Sequence, residues 1–180
     1  LVSPAGIVVD SKSGTTGAGR KPTQTTHFPD CNEGFSAYKV ASHRHTPEIE
    51  QTLSKLAGTA ATITFVPHLL PVNRGILSTI YARMNDGVTL DQVRGAYERA
   101  YKDEPFVRVL APGKEVNIRN VRCSNFCDIQ LYADTHTGLL IVTSVIDNMV
   151  KGAAGQAIQN MNLLYGLPET TGLDMIPPAF

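Results

Sequence analysis

Residues 129–146, which read IQLYADTHTGLLIVTSVI, decide the fold. Two apolar runs, 129–133 and 139–146, flank the short polar segment DTHTG. β-Branched and aromatic residues favour strands, and a polar segment that ends in glycine between two such runs is typical of a hairpin turn. We therefore predict two strands that meet across a turn at residues 134–138.

The same patterns, followed outward from this hairpin, predict four more strands and three helices. The further strands are expected at residues 7–9, 62–70, 75–84 and 106–110. The first helix is expected at residues 46–56 and the third at residues 153–165. The second is expected to begin at the capping pair Thr89 and Gln92.

The strands are clustered along the chain and do not alternate strictly with helices. This order predicts one α+β domain, with a mixed, largely antiparallel sheet and helices packed on one face. We expect strands 62–70 and 75–84 to be neighbours, because only a short segment joins them. Residues 11–26 are rich in glycine and threonine and are expected to form a loop too polar for the core. Thr46 is expected to cap the helix that follows it.

The composition excludes several classes of protein. The 180 residues carry 16 basic and 16 acidic side chains, so the formal net charge is zero and a nucleic-acid partner is not expected. We also expect no membrane association, since no run approaches the roughly 20 apolar residues that span a bilayer. The three cysteines are an odd number, which argues against a secreted disulfide framework and for a reducing compartment, the cytoplasm.

The segment SKSGTTGAGRK at residues 11–21 is a candidate anion site. Glycines allow backbone N–H groups to converge on an anion, and Lys12, Ser13 and Arg20 would add charge and hydrogen bonds. The spacing matches neither a P-loop nor a dinucleotide fingerprint, because no helix follows the last glycine and Arg20-Lys21-Pro22 comes instead. A plain surface loop is the alternative.

The segment HRHTPE at residues 43–48 is a candidate acid–base site. His43 and His45 are two residues apart, so both project to the same side of an extended chain, and Glu48 lies a short turn away. Imidazoles exchange protons near neutral pH, which suits catalysis. The alternative is the start of a capped helix with two half-exposed histidines.

No metal site is expected. Three pairs of side chains could be combined on paper as zinc ligands, namely His27 with Cys31, His43 with His45, and Cys123 with Cys127. Their spacings do not form a recognised zinc pattern. The cysteines do not follow a convincing strand-to-helix elbow either, so we interpret all three as structural.

Five segments in order resemble the N-acetyl-gamma-glutamyl-phosphate reductase family. They are VDSKSGTTGAGRK at 9–21, HRHTPEIEQ at 43–51, FVPHLLPVNRGILSTIYA at 65–82, VRCSNFCDI at 121–129 and VIDNMVKGAAGQAIQNMNLLYGLPETTGL at 145–173. The resemblance implies the semialdehyde dehydrogenase and glyceraldehyde-3-phosphate dehydrogenase type of C-terminal domain. Residues 1–180 would then be a substrate-binding and dimerisation domain, and the whole protein a dimer or tetramer.

The family reduces N-acetylglutamyl phosphate with NADPH, through a thioester on a cysteine, to N-acetylglutamate semialdehyde and phosphate in arginine biosynthesis. By this resemblance, His43 or His45 would be the acid–base group beside the thioester, and Glu48 would support it. We favour His43, although the sequence does not separate the two histidines.

The resemblance also implies the binding residues. Ser13, Gly14, Arg20 and Arg74 would contact the phosphate and carboxylate groups of the substrate. Asn160 would lie near the nicotinamide of NADP, which an upstream Rossmann domain would mainly bind. On the residues alone, the small side chains around Asn160 favour tight helix packing instead.

The chain departs from the family in one respect. The nucleophilic cysteine of the family belongs to a Pro-Gly-Cys-Tyr-Pro type of motif upstream of the strand at Ile7, and neither this motif nor the nucleotide-binding domain is present. We therefore expect a fragment that does not turn over alone. The alternative is a non-catalytic regulatory or scaffolding homologue of the same fold.

Overall fold

The computed structural model describes residues 1–21 and 23–179. Seven strands form one sheet in the order β2-β3-β1-β4-β7-β6-β5. The strands are β1 (Ile7–Gly14), β2 (Ser36–Ala37), β3 (Ile63–Leu70), β4 (Ile76–Arg83), β5 (Val107–Val109), β6 (Cys127–Asp134) and β7 (Leu139–Ile146). The α-helices are α1 (Phe28–Cys31), α2 (Thr46–Ala57), α3 (Leu90–Ala100) and α4 (Gly155–Leu164).

The sheet is mixed and mostly antiparallel. β1 runs parallel to β3 and antiparallel to β4. β7 pairs antiparallel with both β4 and β6, and the short β5 runs parallel to β6. The predicted fold class is therefore confirmed, and so is the hairpin of β6 and β7 across residues 134–138.

β3 and β4 are not neighbours, so that prediction is wrong. β1 lies between them and pairs with both, for example through Ser11, which faces Pro67 of β3 and Ser78 of β4. The short connection at 71–75 therefore crosses over the end of β1. Its carbonyl groups meet the residues after β1, since Thr15 N–H donates to Val72 O at 2.9 Å.

The predicted loop at 11–26 begins as a strand instead. β1 continues through Gly14, and both Ser11 and Gly14 are buried. Polar residues enter the strand because hydrogen bonds to β3 and β4 satisfy the backbone on both sides. The rest of the segment contains two 3₁₀ turns at residues 15–18 and 24–26, while Pro22 lies outside the described residues.

The helices begin largely where their caps predict. Thr89 and Gln92 form the reciprocal capping box of α3, as expected. Thr46 does not cap α2, because His45 already has helical dihedral angles and Thr46 lies inside the first turn. Its buried Oγ1 has no hydrogen-bond partner among the described residues. A π-helical turn at residues 150–154 leads into α4.

The helices α2 and α3 cover the same face of the sheet. Val93 of α3 packs in a cluster with Ile129 and Leu131 of β6 and Leu140 and Val142 of β7. From this cluster a row of paired residues runs across the sheet. Ile129 of β6 pairs with Ser144 of β7, Ser144 pairs with Ser78 of β4, and Ser78 pairs with Ser11 of β1. Since residues paired across strands share a face, Ser11 also lies on this face. No helix of the described residues has the length and hydropathy needed to cross a membrane.

Candidate active site

A cleft of about 440 Å³ lies between the sheet and the segment that leads into α2. We call it the histidine cleft. Its floor consists of side chains from β1, β3, β4 and β7, and one wall consists of Tyr38, His43, Arg44, His45 and Ile49. The α2 helix, which begins directly after His45, fixes the position of this wall over the sheet.

His43 is the better enclosed of the two histidines. Its ring is half-buried and stands edge-on to Phe65, with 5.1 Å between the ring centroids. Tyr38 lies at 5.9 Å and His45 at 4.9 Å by the same measure. His45 also borders the cleft but is exposed. The aromatic contacts therefore hold the ring of His43 in one place, while His45 is freer.

The surroundings of His43 favour its neutral form. Burial lowers the pKa of His43, and the positive charges of His45, Lys39 and Arg44 lower it further. His43 Nδ1 also accepts a hydrogen bond from the backbone N–H of His45 at 3.2 Å. This bond places the proton of the neutral ring on Nε2, since Nδ1 acts as the acceptor. His43 is thus a neutral imidazole that can donate from Nε2.

The floor of the cleft combines hydroxyl groups with apolar side chains. Ser11 Oγ and Ser78 Oγ are 2.7 Å apart, and Ser144 Oγ lies 3.4 Å from Cys127 Sγ. Burial is the main reason why the pKa of Cys127 is raised, so this thiol stays protonated near neutral pH. Cys127 therefore behaves as a structural thiol, as the sequence predicted.

The segment after β1 forms the end of the cleft nearest Ser13 and Gly17. Gly14 N–H donates to Gly75 O at 2.8 Å, and a Cβ atom at Gly14 would lie 2.7 Å from Asn73 O. Only glycine fits this close backbone approach. Ser13 Oγ donates to Gly14 O at 3.2 Å, so the hydroxyl lies at the rim with one weak partner.

Asn148 joins this segment to β4. Its Oδ1 accepts Gly75 N–H at 2.7 Å, and its Nδ2 donates to Thr16 Oγ1 at 3.0 Å. The side chain is buried at the edge of the histidine cleft. The two bonds hold the Ser13–Gly17 segment against the start of β4, a role that no local sequence pattern indicates.

Arg74 points away from the cleft. Its Nη1 donates to both carboxylate oxygens of Asp147, at 3.0 and 3.3 Å. Burial alone would raise the pKa of Asp147, but N–H donors from Cys123, Met149 and Val150, together with Arg74, lower it instead. Asp147 is therefore an ionised, fully buried carboxylate that holds Arg74 in place.

The structure gathers some of the predicted site residues and separates others. His43, His45 and Ser13 border the histidine cleft, and Gly14 lies directly beside it. Four others do not border it, namely Glu48, Arg20, Arg74 and Asn160. Glu48 is exposed on the first turn of α2, and its side chain makes no hydrogen bond to another described residue.

Arg20 is exposed beyond the cleft, and Asn160 lies on the exposed side of α4, where Gln156 Nε2 donates to its Oδ1 at 3.2 Å. The cleft residues that sequence reasoning missed are Tyr38, Ser78, Ser144 and Asn148. Among residues 1–21 and 23–179, no three His, Cys, Asp or Glu side chains converge as metal ligands.

Comparison with known proteins identifies the family. The family model described as "Semialdehyde dehydrogenase, dimerisation domain" matches residues 1–148. The chain belongs to this family. The match agrees with the C-terminal semialdehyde dehydrogenase type of domain that the sequence resemblance implied.

Curated relatives of this dimerisation domain share about half of its residues. N-acetyl-gamma-glutamyl-phosphate reductase of Brachyspira hyodysenteriae is 58% identical over 97% of the chain, which covers 50% of that relative. The reductase of the same name from Clostridium botulinum strain Alaska E43 is 53% identical over the full length of this chain. The aligned region covers 52% of that relative. The chain thus spans about half the length of these relatives, and the predicted resemblance is confirmed.

Solved structures confirm the fold of the dimerisation domain. Aspartate semialdehyde dehydrogenase II from Vibrio cholerae superposes with a TM-score of 0.68 at 14% identity, covering 89% of this chain and 55% of that one. A probable aspartate-semialdehyde dehydrogenase from Pseudomonas aeruginosa gives 0.69 at 14% identity, over 92% and 56%. At this identity the similarity establishes the fold alone.

Proposed function

We propose that the chain supplies the substrate-binding and dimerisation half of an NADP-dependent N-acetyl-gamma-glutamyl-phosphate reductase. The observation that carries the proposal is the placement of His43, a neutral imidazole held edge-on to Phe65 at the wall of a cleft. A non-catalytic homologue would have no need to enclose a histidine in this way. The identity of 58% with a reductase over nearly the whole chain supports the same conclusion.

In this proposal His43 acts on the carbonyl oxygen of the bound acyl group. Its Nε2–H donates a hydrogen bond to that oxygen as negative charge develops there. Nδ1 is occupied by the N–H of His45, so the ring cannot turn without losing that bond. Because its pKa is lowered, the neutral form of the ring is favoured, and in this form Nε2 is the hydrogen-bond donor.

The remaining cleft residues bind and orient the substrate. The rim near Ser13 and Gly14 offers a hydroxyl group to a phosphate or carboxylate. The floor offers the Ser11–Ser78 pair, in which one hydroxyl donates to the other and a second hydroxyl hydrogen stays free for an acyl oxygen. Arg20 can reach an anion only from the exposed side, and Arg74 is already engaged by Asp147.

The described residues do not form a cradle for the phosphates of NADP. A dinucleotide needs a glycine-rich turn that opens directly into a helix. Here Gly14 is followed by the 3₁₀ turn at residues 15–18, which contains Gly17, and Asn160 is hydrogen-bonded to Gln156 on α4. We therefore assign NADP to the part of the longer relatives that this chain does not match.

The proposed enzyme is a cytoplasmic homo-oligomer. Beyond the family name, an exposed apolar surface supports assembly with a further part of the protein or with another copy. It comprises Met161, Leu163, Leu164, Tyr165 and Leu167, at the end of α4 and just after it. Large exposed apolar patches mark surfaces that pack against other protein.

A chimera tests the proposed function. The upstream half of the Brachyspira reductase would be joined to this chain, and NADPH formation followed in the reverse direction with N-acetylglutamate semialdehyde and phosphate. We expect turnover in the chimera and none in the 180-residue chain alone. His43→Asn should lower kcat by roughly 100-fold or more, the typical effect of losing one donor that stabilises a developing oxyanion.

Two further results of this experiment distinguish His43 from His45 and the proposed reductase from a scaffolding protein. His45→Asn is the matched control, and a larger loss of kcat there than at His43 would transfer this catalytic role to His45. A folded chimera without turnover would contradict the proposed function and favour the scaffolding alternative.

A further inference from the structure

A second concavity, of about 300 Å³, lies on the side of Arg74 that faces away from the histidine cleft. We call it the arginine pocket. It is lined by Val72, Asn73, Arg74, Ile118, Arg119 and Arg122. Three of its lining side chains are guanidinium groups, and no acidic residue lines it. A concavity lined by charges of one sign attracts ions of the opposite sign.

Two of the three guanidinium groups have no partner of opposite charge among the described residues. Arg74 is paired with Asp147 at 3.0 Å. Arg119 and Arg122 are both exposed, and within residues 1–21 and 23–179 neither has a carboxylate within 4.0 Å. Asp147 balances the charge of Arg74, so the charges of Arg119 and Arg122 leave the pocket with two unbalanced positive charges.

The two walls of the arginine pocket are fixed to each other. The fully buried Asp147 accepts a hydrogen bond from Arg74 in one wall and from the N–H of Cys123, which follows Arg122, in the other at 2.7 Å. A Cβ atom at Gly75 would lie 2.8 Å from Ile118 Cβ, so the backbone after Arg74 packs directly against the second wall. A preorganised pocket binds a ligand with less loss of entropy than two mobile surface chains do.

We propose that the arginine pocket binds a phosphate-type oxyanion, either free phosphate or the phosphoryl group of a small metabolite. Guanidinium groups match the tetrahedral oxygens of phosphate with paired, charge-assisted hydrogen bonds. The proposal does not depend on the reaction in the histidine cleft. It concerns a separate set of side chains, since only the neighbouring backbone connects the two places.

That connection makes binding in the pocket observable at the cleft. The carbonyl groups of Val72 and Asn73, in the wall of the pocket, accept the N–H groups of Thr15 and Thr16 at 2.9 and 3.2 Å. An anion bound against this wall would change the electrostatic environment of these hydrogen bonds and shift the resonances of Thr15 and Thr16.

Titration of the 180-residue protein followed by two-dimensional NMR tests the proposal. Inorganic phosphate and glycerol 3-phosphate would be added separately at constant ionic strength, with sodium chloride alone as the reference. We expect saturable shifts at Asn73, Arg119 and Cys123 with both probes. Tighter binding of glycerol 3-phosphate would identify a phosphorylated metabolite as the ligand, and tighter binding of inorganic phosphate would identify the free ion.

The double variant Arg119→Gln/Arg122→Gln should weaken this binding by at least about tenfold, because two charged donors are lost. Arg83→Gln/Arg99→Gln is the matched control, since it removes the same charge from exposed positions elsewhere. Equal weakening in both variants, or no saturable shift at Cys123, would overturn the proposal. Phosphate shifts confined to His43 and Gly17 would overturn it while supporting the proposed function of the cleft.

Discussion

Replacing Gly155 by alanine should destabilise the domain, although alanine is the better helix former. Gly155 is the first residue of α4 and is buried, with φ −64° and ψ −41°, an ordinary helical conformation. The backbone therefore imposes no need for glycine. A Cβ atom there would nevertheless overlap Asn125 Oδ1 and lie 2.6 Å from Val150 Cγ1 and 2.9 Å from the backbone carbon of Val150.

The size of the effect follows from the groups that must move. Overpacking of a tight interior site costs about 1–3 kcal/mol. Displacing the fully buried Asn125 also threatens its 2.9 Å hydrogen bond to Gln159 Oε1, which is worth about 1–3 kcal/mol in a buried site. Against these losses, alanine gains up to about 1 kcal/mol in helix propensity. We expect the free energy of unfolding to fall by about 3 kcal/mol.

Urea denaturation followed by circular dichroism measures this difference. Gly152→Ala is the matched control, because the nearest atom to its new Cβ would be Ile146 Cδ1 at 3.5 Å, an ordinary contact. That variant should change the free energy of unfolding by less than about 1 kcal/mol. If Gly155→Ala proved as stable as Gly152→Ala, the steric argument would be refuted.

Four other measurements check the electrostatics and the capping described above. Asp147→Asn should lower the free energy of unfolding by about 3 kcal/mol, because three backbone donors and Arg74 lose a charged acceptor. In the unmodified domain this contribution should be full above the ordinary carboxyl pKa and should be lost as the pH falls through the lowered pKa of Asp147. By NMR titration, the pKa of His43 should lie below the ordinary value and rise in a His45→Gln variant, since a repelling charge is removed; an unchanged pKa would contradict this cause. Thr89→Ala should cost about 1 kcal/mol in denaturation experiments through loss of the capping box.

The sequence predicted those parts of the fold that depend on neighbours along the chain. The hairpin of β6 and β7, the capping box at Thr89 and the helix after His45 all rest on local patterns. The pairing of β3 and β4 with β1 depends on contacts more than 50 residues apart, which propensity does not encode. For this reason the sequence pattern predicts β3 and β4 as neighbours, whereas β1 lies between them.

The residues of the candidate site likewise divide into those that local sequence predicts and those that distant contacts position. His43 and His45 could be found because two imidazoles stand close together in sequence beside a helix start. The buried bonds of Asn148 to Gly75 and Thr16 cross 73 and 132 positions, and nothing local distinguishes this asparagine from an exposed one. The direction of Arg74 depends likewise on Asp147, which is 73 positions away.

The central place of β1 has a consequence for synthesis of the protein. β1 leaves the ribosome before either of its partners, and 56 residues separate its last residue, Gly14, from the last residue of β3, Leu70. At translation rates of 5–20 residues per second this delay is roughly 3–11 s. During this time both edges of β1 are open to pairing with other nascent chains. The polar sequence DSKS in its second half, with two charges, then protects the strand from aggregation before it becomes the middle of the sheet.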